Sequence, residues 1–186
     1  SGQKEELRPI KDGEIKMFVC GPTVYDCSHI GHARTYVIFD VIAKYLVYKG
    51  YKLKFMINIT DIDDKIIDRA EKDRKNWKEV AEFYEKGFMD DVKNLKISSI
   101  NKFARATEHI PEIIKQIKIL KEKGFAYQAE DGVYFDISKF EDYGKLAKRT
   151  VKQAEDGVSR IDESVNKKNK GDFALWKFSK EGKPEW

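Results

Sequence analysis

Cysteine is nearly absent from this 186-residue chain: Cys20 and Cys27 are the only two. They form no C-x-x-C pair and no even-numbered framework, so a disulfide scaffold and a self-contained zinc knuckle are excluded. Thiol poverty of this kind suits a reducing, cytoplasmic compartment. Long hydrophobic runs are also missing. No stretch reaches the length of a membrane span, and the first twenty residues lack the pattern of a signal peptide. One-signed charge is scarce too: 36 basic against 32 acidic residues leave a net charge of +4, too little for the basic patch of a dedicated nucleic-acid binder. Internal repeats are not evident. An apolar share of 41% and a charged share of 37% describe a globular protein with a densely charged surface. The length admits one domain plus an insertion around a genuine core.

The informative part begins at Met17. The apolar stretch Met17–Cys20 predicts a short buried strand ended by Gly21-Pro22. From His32 the pattern becomes helical, with Tyr36, Val37, Ile42, Tyr45 and Leu46 at three- and four-residue spacing, until Gly50 stops it. A second strand is predicted over Leu53–Asn58. Strand, helix and strand form a crossover unit, expected to be right-handed and to lie in a parallel sheet. Such sheets bind ligands at the carboxyl ends of their strands, where Cys20 and Asn58 both fall. The helix start offers N–H groups and a positive dipole end to an anion, so a phosphate-bearing ligand is the natural occupant.

Chemistry-bearing residues crowd that edge. His29 and His32 flank Ile-Gly at the helix start and are read either as caps or as donors to phosphate oxygens whose charge builds during attack at phosphorus. Gly31 between them would let a planar ligand approach the backbone. Cys20 is read either as a small buried group or as a metal ligand. Cys27 has no matching role. A second cluster, Asn58-Ile-Thr-Asp-Ile-Asp-Asp-Lys65, holds three carboxylates in four residues, but Ile66 and Lys72 break the calcium-loop template. Asn58 and Thr60 could hydrogen-bond a substrate's ammonium or carboxylate, whereas Asp61 and Asp63 are read as caps of a helix starting near Asp64.

Further on, Trp77–Leu95 predicts an amphipathic helix with Val80, Tyr84, Val92 and Leu95 toward the core. Pro111–Lys123 predicts another, ended by Gly124, with His109 before it in a structural role. The runs Phe125–Ala129 and Val133–Ile137 around Asp131-Gly132 predict a β-hairpin. Lys145–Gly171 is dense in charge and predicts a solvated, mobile linker, read as a soluble connector.

Six stretches taken together resemble the cysteinyl-tRNA synthetases, a class I aminoacyl-tRNA synthetase family. They are Cys20-Gly-Pro-Thr-Val-Tyr-Asp26, His29-Ile-Gly-His-Ala-Arg34, Asn58-Ile-Thr-Asp-Ile-Asp-Asp-Lys65, Arg105-Ala-Thr-Glu-His-Ile-Pro111, Asp142-Tyr-Gly-Lys-Leu146 and Asp172-Phe-Ala-Leu-Trp-Lys177. The resemblance implies an α/β fold: part of a Rossmann-like parallel-sheet nucleotide-binding domain with an inserted connective subdomain. It implies a first half of the catalytic domain over 1–115, an insertion and mobile linker over 116–171, and a return to the catalytic domain from 172 to 186.

Roles follow from the same resemblance. Pro22, His29, Gly31 and His32 correspond to the ATP-binding signature, with His29 and His32 stabilising phosphates during adenylate formation. Cys20 corresponds to one ligand of a zinc ion that holds the thiolate of L-cysteine. Gly21, Thr23, Thr35, Asn58 and Thr60 correspond to positions around the aminoacyl adenylate. ATP with Mg2+ and tRNA(Cys) are the implied partners, with no membrane and a monomeric enzyme. The family's other zinc ligands and its Lys-Met-Ser-Lys-Ser loop do not occur through Trp186, so the sequence is expected to be an amino-terminal portion holding half a site. The mycothiol-pathway cysteine ligase, which passes cysteine to an amino sugar, and a truncated non-catalytic binding module are the alternatives.

Overall fold

The computed structural model describes residues 3–145, 148 and 165–185. The chain divides into one compact unit over Glu6–His109 and another from Ile110 onward. In the first, strands β1 (Glu14–Val19), β2 (Lys52–Ile59) and β3 (Lys102–Arg105) form a parallel sheet in the order β1-β2-β3. Val19 pairs with Ile57, and Ile59 with Arg105. Helix α1 (Ile30–Tyr48) makes the crossover from β1 to β2, while α2 (Asp64–Asp73) and α3 (Trp77–Asn94) lead to β3.

Alternation on the central strand builds the core. Phe55, Ile57 and Ile59 are at most 1% exposed and pack with Val24, Ile66, Val80 and Phe88. The crossover helix forms where expected, but its buried face is Tyr36, Asp40 and Ala43. Val37, Ile42 and Tyr45, which carry the helical spacing in the sequence, are exposed, and Val41 and Tyr48 join them. The i, i+4, i+7 stripe that wins contains a carboxylate. Asp40 accepts hydrogen bonds from the amides of Ser98 and Ser99 at 3.0 and 2.9 Å and pairs with Lys44 at 2.6 Å. Burial opposes its ionisation, yet the bonds from Lys44, Ser99 and Ser98 prevail and hold its carboxyl below the usual range. Apolar spacing alone could not foresee a core position occupied by Asp. Helix α3 buries Val80 and Val92 as expected, with Ala81 and Phe88, whereas Leu95 is exposed.

The second unit begins with α4 (Ile110–Glu122), ended by Gly124 at φ +76°. Strands β4 (Ala126–Gln128) and β5 (Gly132–Phe135) form the expected antiparallel hairpin. Strand β6 (Phe173–Lys177) then pairs antiparallel with β5, so this stretch, expected to start a return to the catalytic domain, is the third strand of the hairpin's own sheet. Asp172 fastens it there. Its fully buried carboxylate accepts from the amides of Ile137 and Asn169, the Asn169 side chain and the Tyr127 hydroxyl. Most of the expected linker over 145–171 lies outside the described residues.

Candidate functional site

The carboxyl ends of β1 and β2 are tied together more closely than a sheet requires. After β1 the chain continues beside β2: Thr60 N–H donates to the Pro22 carbonyl at 3.0 Å, and Val24 N–H donates to the Thr60 carbonyl at 3.2 Å. Gly21 sits where no side chain fits, since a Cβ there would lie 1.6 Å from the Asn58 carbonyl oxygen. Its N–H donates to Asn58 Oδ1 at 2.9 Å, and Asn58 Nδ2 donates to Thr60 Oγ1 at 3.1 Å. Gly21, Pro22, Thr23, Asn58 and Thr60 are therefore one bonded patch. Thr60 keeps its own hydroxyl proton for another acceptor, because the bond from Asn58 uses only an oxygen lone pair.

Cys20 follows β1 directly and is exposed, and its carbonyl accepts from the Tyr36 hydroxyl at 3.3 Å. Burial, followed by the neighbouring Cys20, pushes the Tyr36 phenol up to about 12, so it stays a donor at neutral pH. Tyr36 thus anchors the Cys20 backbone from inside α1, a contact that spacing in the sequence could not reveal.

The two histidines form a reciprocal cap. His29 is the N-cap of α1, and its Nδ1 accepts from Gly31 N–H at 3.0 Å. His32 Nδ1 accepts from His29 N–H at 3.2 Å, and the rings stack with centroids 4.0 Å apart. The bonds show the capping reading of the pair. A nitrogen that accepts carries no proton, so each neutral ring bears its proton on Nε2. The cap therefore leaves two Nε2–H donors directed away from the backbone. Burial and the adjacent His29 hold the His32 imidazolium below its ordinary 6.5, favouring the neutral form near pH 7. No acidic residue occupies the first turn to offset the positive end of the helix. Gly31 has a nearer reason than ligand approach: a Cβ there would meet His29 Cε1 at 2.8 Å and displace the capping ring. Thr35 spends its hydroxyl proton on the Gly31 carbonyl at 3.0 Å.

The second cluster divides. Asp63 caps α2, accepting from Lys65 N–H at 3.0 Å, as expected. Asp61 does not cap that helix. It is 7% exposed and accepts from both the amide and the hydroxyl of Thr107, in the 3-10 turn Ala106–His109 that follows β3. Helix α2 also braces the loop between β1 and α1: the Lys65 ammonium lies 5.4 Å from the Tyr25 ring centroid and Arg69 lies 3.7 Å from Asp26.

For zinc, the described residues place Cys20 as an exposed thiol that belongs to no group of three or more His, Cys, Asp or Glu side chains able to enclose an ion. One soft donor does not make a tetrahedral site, so these residues by themselves do not fit the metal. Among the described residues no helix is long and apolar enough to cross a membrane.

Comparison with known proteins accords with this geometry. Residues 6–186 match the family described as tRNA synthetases class I (C) catalytic domain. The chain is 52% identical over 184 residues to a cysteine--tRNA ligase of Thermococcus kodakarensis and 52% identical to one of Methanococcus maripaludis. Each alignment covers 99% of this chain and 38% of the relative, so the chain spans about two fifths of the length of these curated relatives. Among solved structures, a Mycobacterium tuberculosis methionyl-tRNA synthetase in complex with methionyl-adenylate superposes with a TM-score of 0.56 at 20% identity, over 66% of this chain and 25% of that one. An Agrobacterium radiobacter LeuRS in a ternary complex with tRNA and LeuAMS gives 0.55 at 20% identity, over 71% and 18%. These likenesses support the Rossmann-like reading of the parallel sheet. The chain belongs to the class I tRNA synthetase (C) catalytic-domain family.

Proposed function

We propose that the protein carrying this chain is a cysteine–tRNA ligase: it joins L-cysteine to ATP, releases pyrophosphate and passes the cysteinyl group to tRNA(Cys). The observation that carries this reading is the reciprocal cap of His29 and His32, which presents two Nε2–H donors at an acid-free helix N-terminus beside the ends of two parallel strands. When the cysteine carboxylate attacks the α-phosphate, negative charge grows on the phosphoryl oxygens. Donors fixed before the reaction stabilise that charge without reorganising. Gly21, Pro22 and Thr23 line the approach from β1, and Thr35 firms the first turn of α1. Asn58 holds Thr60 with its hydroxyl proton free for the amino acid's carboxylate.

Magnesium accompanies ATP and neutralises phosphate charge. Cys20 is the donor this chain would give to a zinc ion completed by ligands outside the described residues; a thiophilic metal separates cysteine from serine, which pocket size cannot. The same reading makes the enzyme a cytoplasmic monomer.

The test is cysteine-dependent ATP–pyrophosphate exchange by the full-length protein, followed by charging of tRNA(Cys). Exchange and charging are expected. His32→Ala should slow exchange by about 100-fold, the effect of losing one preorganised transition-state donor. Cys20→Ser should raise the KM for cysteine far more than that for ATP. Transfer of cysteine to an amino sugar with no charging, or no exchange at all, would overturn the reading, and an equal loss of cysteine and ATP binding in Cys20→Ser would remove Cys20 from the metal role.

A further inference from the structure

The buried carboxylate of Asp61 is the one acidic group of the second cluster that neither caps a helix nor meets solvent. It stands immediately after Thr60, at the carboxyl end of the central strand, and both of its oxygens are committed to a single residue. Oδ1 accepts from Thr107 N–H at 3.0 Å, and Oδ2 accepts from the Thr107 hydroxyl in a short bond. Thr107 lies in the 3-10 turn Ala106–His109, directly past the end of β3. The clamp therefore joins the ends of two neighbouring strands at the edge where a parallel sheet binds its ligands. That turn is held from its other side as well. Arg105 pairs with Glu85 at 2.6 Å and with Glu108 at 3.0 Å, and these carboxylates keep its guanidinium charged.

We infer that Asp61 is a positioning residue for the amino-acid half of the site: by clamping Thr107 it fixes the β3 turn as a wall beside Thr60 and sets the Thr60 hydroxyl relative to the bound cysteine. This rests on the ligase reading above. Sheet order gives the inference its direction. The imidazoles stand at the start of α1, which follows β1, while β3 lies on the other side of β2. Displacing the β3 turn thus disturbs what sits over β2 and β3, and leaves the phosphate-facing donors at α1 in place. A fold-stabilising role alone would lower stability without separating the two substrates.

The experiment uses the full-length protein with Asp61→Ala, Asp61→Asn and Thr107→Val, reading KM for cysteine and for ATP in pyrophosphate exchange, with amide hydrogen exchange across 102–109. Asp61→Ala is expected to raise the KM for cysteine roughly tenfold or more, as misplacements near an ångström do, while the KM for ATP changes less than about twofold. Asp61→Asn keeps an acceptor for the Thr107 amide and an amide donor for its hydroxyl oxygen, so it should recover most of the loss. Thr107→Val should fall between them, and adding it to Asp61→Ala should cost little more, because the two remove one interaction. The Thr107 amide should exchange at least about tenfold faster in Asp61→Ala. Parallel shifts in both KM values, full additivity of the two substitutions, or an unaltered Thr107 amide would each overturn the inference. A wild-type protein without cysteine-dependent exchange would instead overturn the ligase reading, and with it the substrate assignment of the clamp; the amide readout would still decide whether the clamp exists.

Discussion

Replacing Gly21 with alanine should be among the most damaging single-methyl additions in the Glu6–His109 unit, and the structure says why. The added Cβ would lie 1.6 Å from the Asn58 carbonyl oxygen, 2.7 Å from Ile57 Cγ2 and 2.8 Å from the Asn58 carbonyl carbon. Two of these three atoms are backbone in the central strand, so no rotamer change relieves the overlap; the chain past β1 must move away from β2. That movement breaks the bond from Gly21 N–H to Asn58 and strains those joining Thr60 to Pro22 and Val24. One hydrogen bond lost at about 1 kcal/mol, two strained at about half that each, and an overpacking term of about 1–3 kcal/mol give a loss of about 3–5 kcal/mol. The counterpart is Gly87, exposed in the interior of α3, where a Cβ meets nothing within 4 Å. There alanine should stabilise by up to about 1 kcal/mol through helix propensity. Trp77 is the only tryptophan of this unit, so urea unfolding followed by its fluorescence, with Trp176 and Trp186 changed to phenylalanine, reports on this sheet alone. With a slope of about 2 kcal/mol per molar urea, the midpoint should fall by roughly 2 M for Gly21→Ala and rise slightly for Gly87→Ala. A Gly21→Ala midpoint within 0.3 M of the parent would refute the reasoning, since it would mean that β1 and β2 do not approach as described.

His29→Asn should keep an N-cap acceptor for Gly31 N–H and nearly full stability, while His29→Ala loses about 1 kcal/mol; both should slow adenylate formation, as measured by pyrophosphate exchange against thermal melting. The depressed His32 pKa makes stability pH-dependent. The folded state resists the proton that the unfolded chain accepts, so this contribution is complete above 6.5 and is lost as the pH falls through the lower folded value. Melting temperatures across pH 5–8 should therefore drop less on the acid side in His32→Gln than in the parent. Asp172→Ala should destabilise the second unit by about 3 kcal/mol by orphaning the Ile137 and Asn169 amides, seen as loss of protection at those amides. The Tyr127 phenol, pushed up to about 12 first by burial and further by Asp172, should titrate lower in Asp172→Asn, read from tyrosinate absorbance.

Much of the fold is legible from local pattern. The strand–helix–strand unit around His29, the amphipathic α3, α4 and the hairpin at Asp131-Gly132 all carry strong periodicity or turn chemistry, and all form. Strand β3 leaves no such trace: Lys-Phe-Ala-Arg is four residues long with only Ala104 buried, and it becomes a strand because β2 offers it an open edge. The destination of Phe173–Lys177 is equally invisible, because pairing with β5 rather than with the parallel sheet is decided by the buried contacts of Asp172. The buried face of α1 is not legible for a related reason, since Asp40 occupies a core position by virtue of partners 58 and 59 residues away. Within the site, residue types suggest the proposed phosphate chemistry but not the tautomers, which follow only from which nitrogen accepts.

The motif residues around this edge bind one another before they bind anything else. His29 holds the Gly31 amide and His32 the His29 amide, Asn58 holds Gly21 and Thr60, and Asp61 holds Thr107. For the imidazoles and Thr60 the bond consumes one side of the polar group and leaves the other outward: Nε2–H on each imidazole, the hydroxyl proton on Thr60. Preorganisation of this kind is what electrostatic catalysis demands, because a donor already fixed need not be oriented when charge develops. It also means that alanine substitutions confound two losses, the outward group and the inward tie. A replacement that preserves the inward acceptor, such as His29→Asn, separates them. If activity followed stability through such pairs, the outward-facing groups would be spectators. The proposed role predicts the opposite for His29, where the cap survives in asparagine and the Nε2–H donor does not.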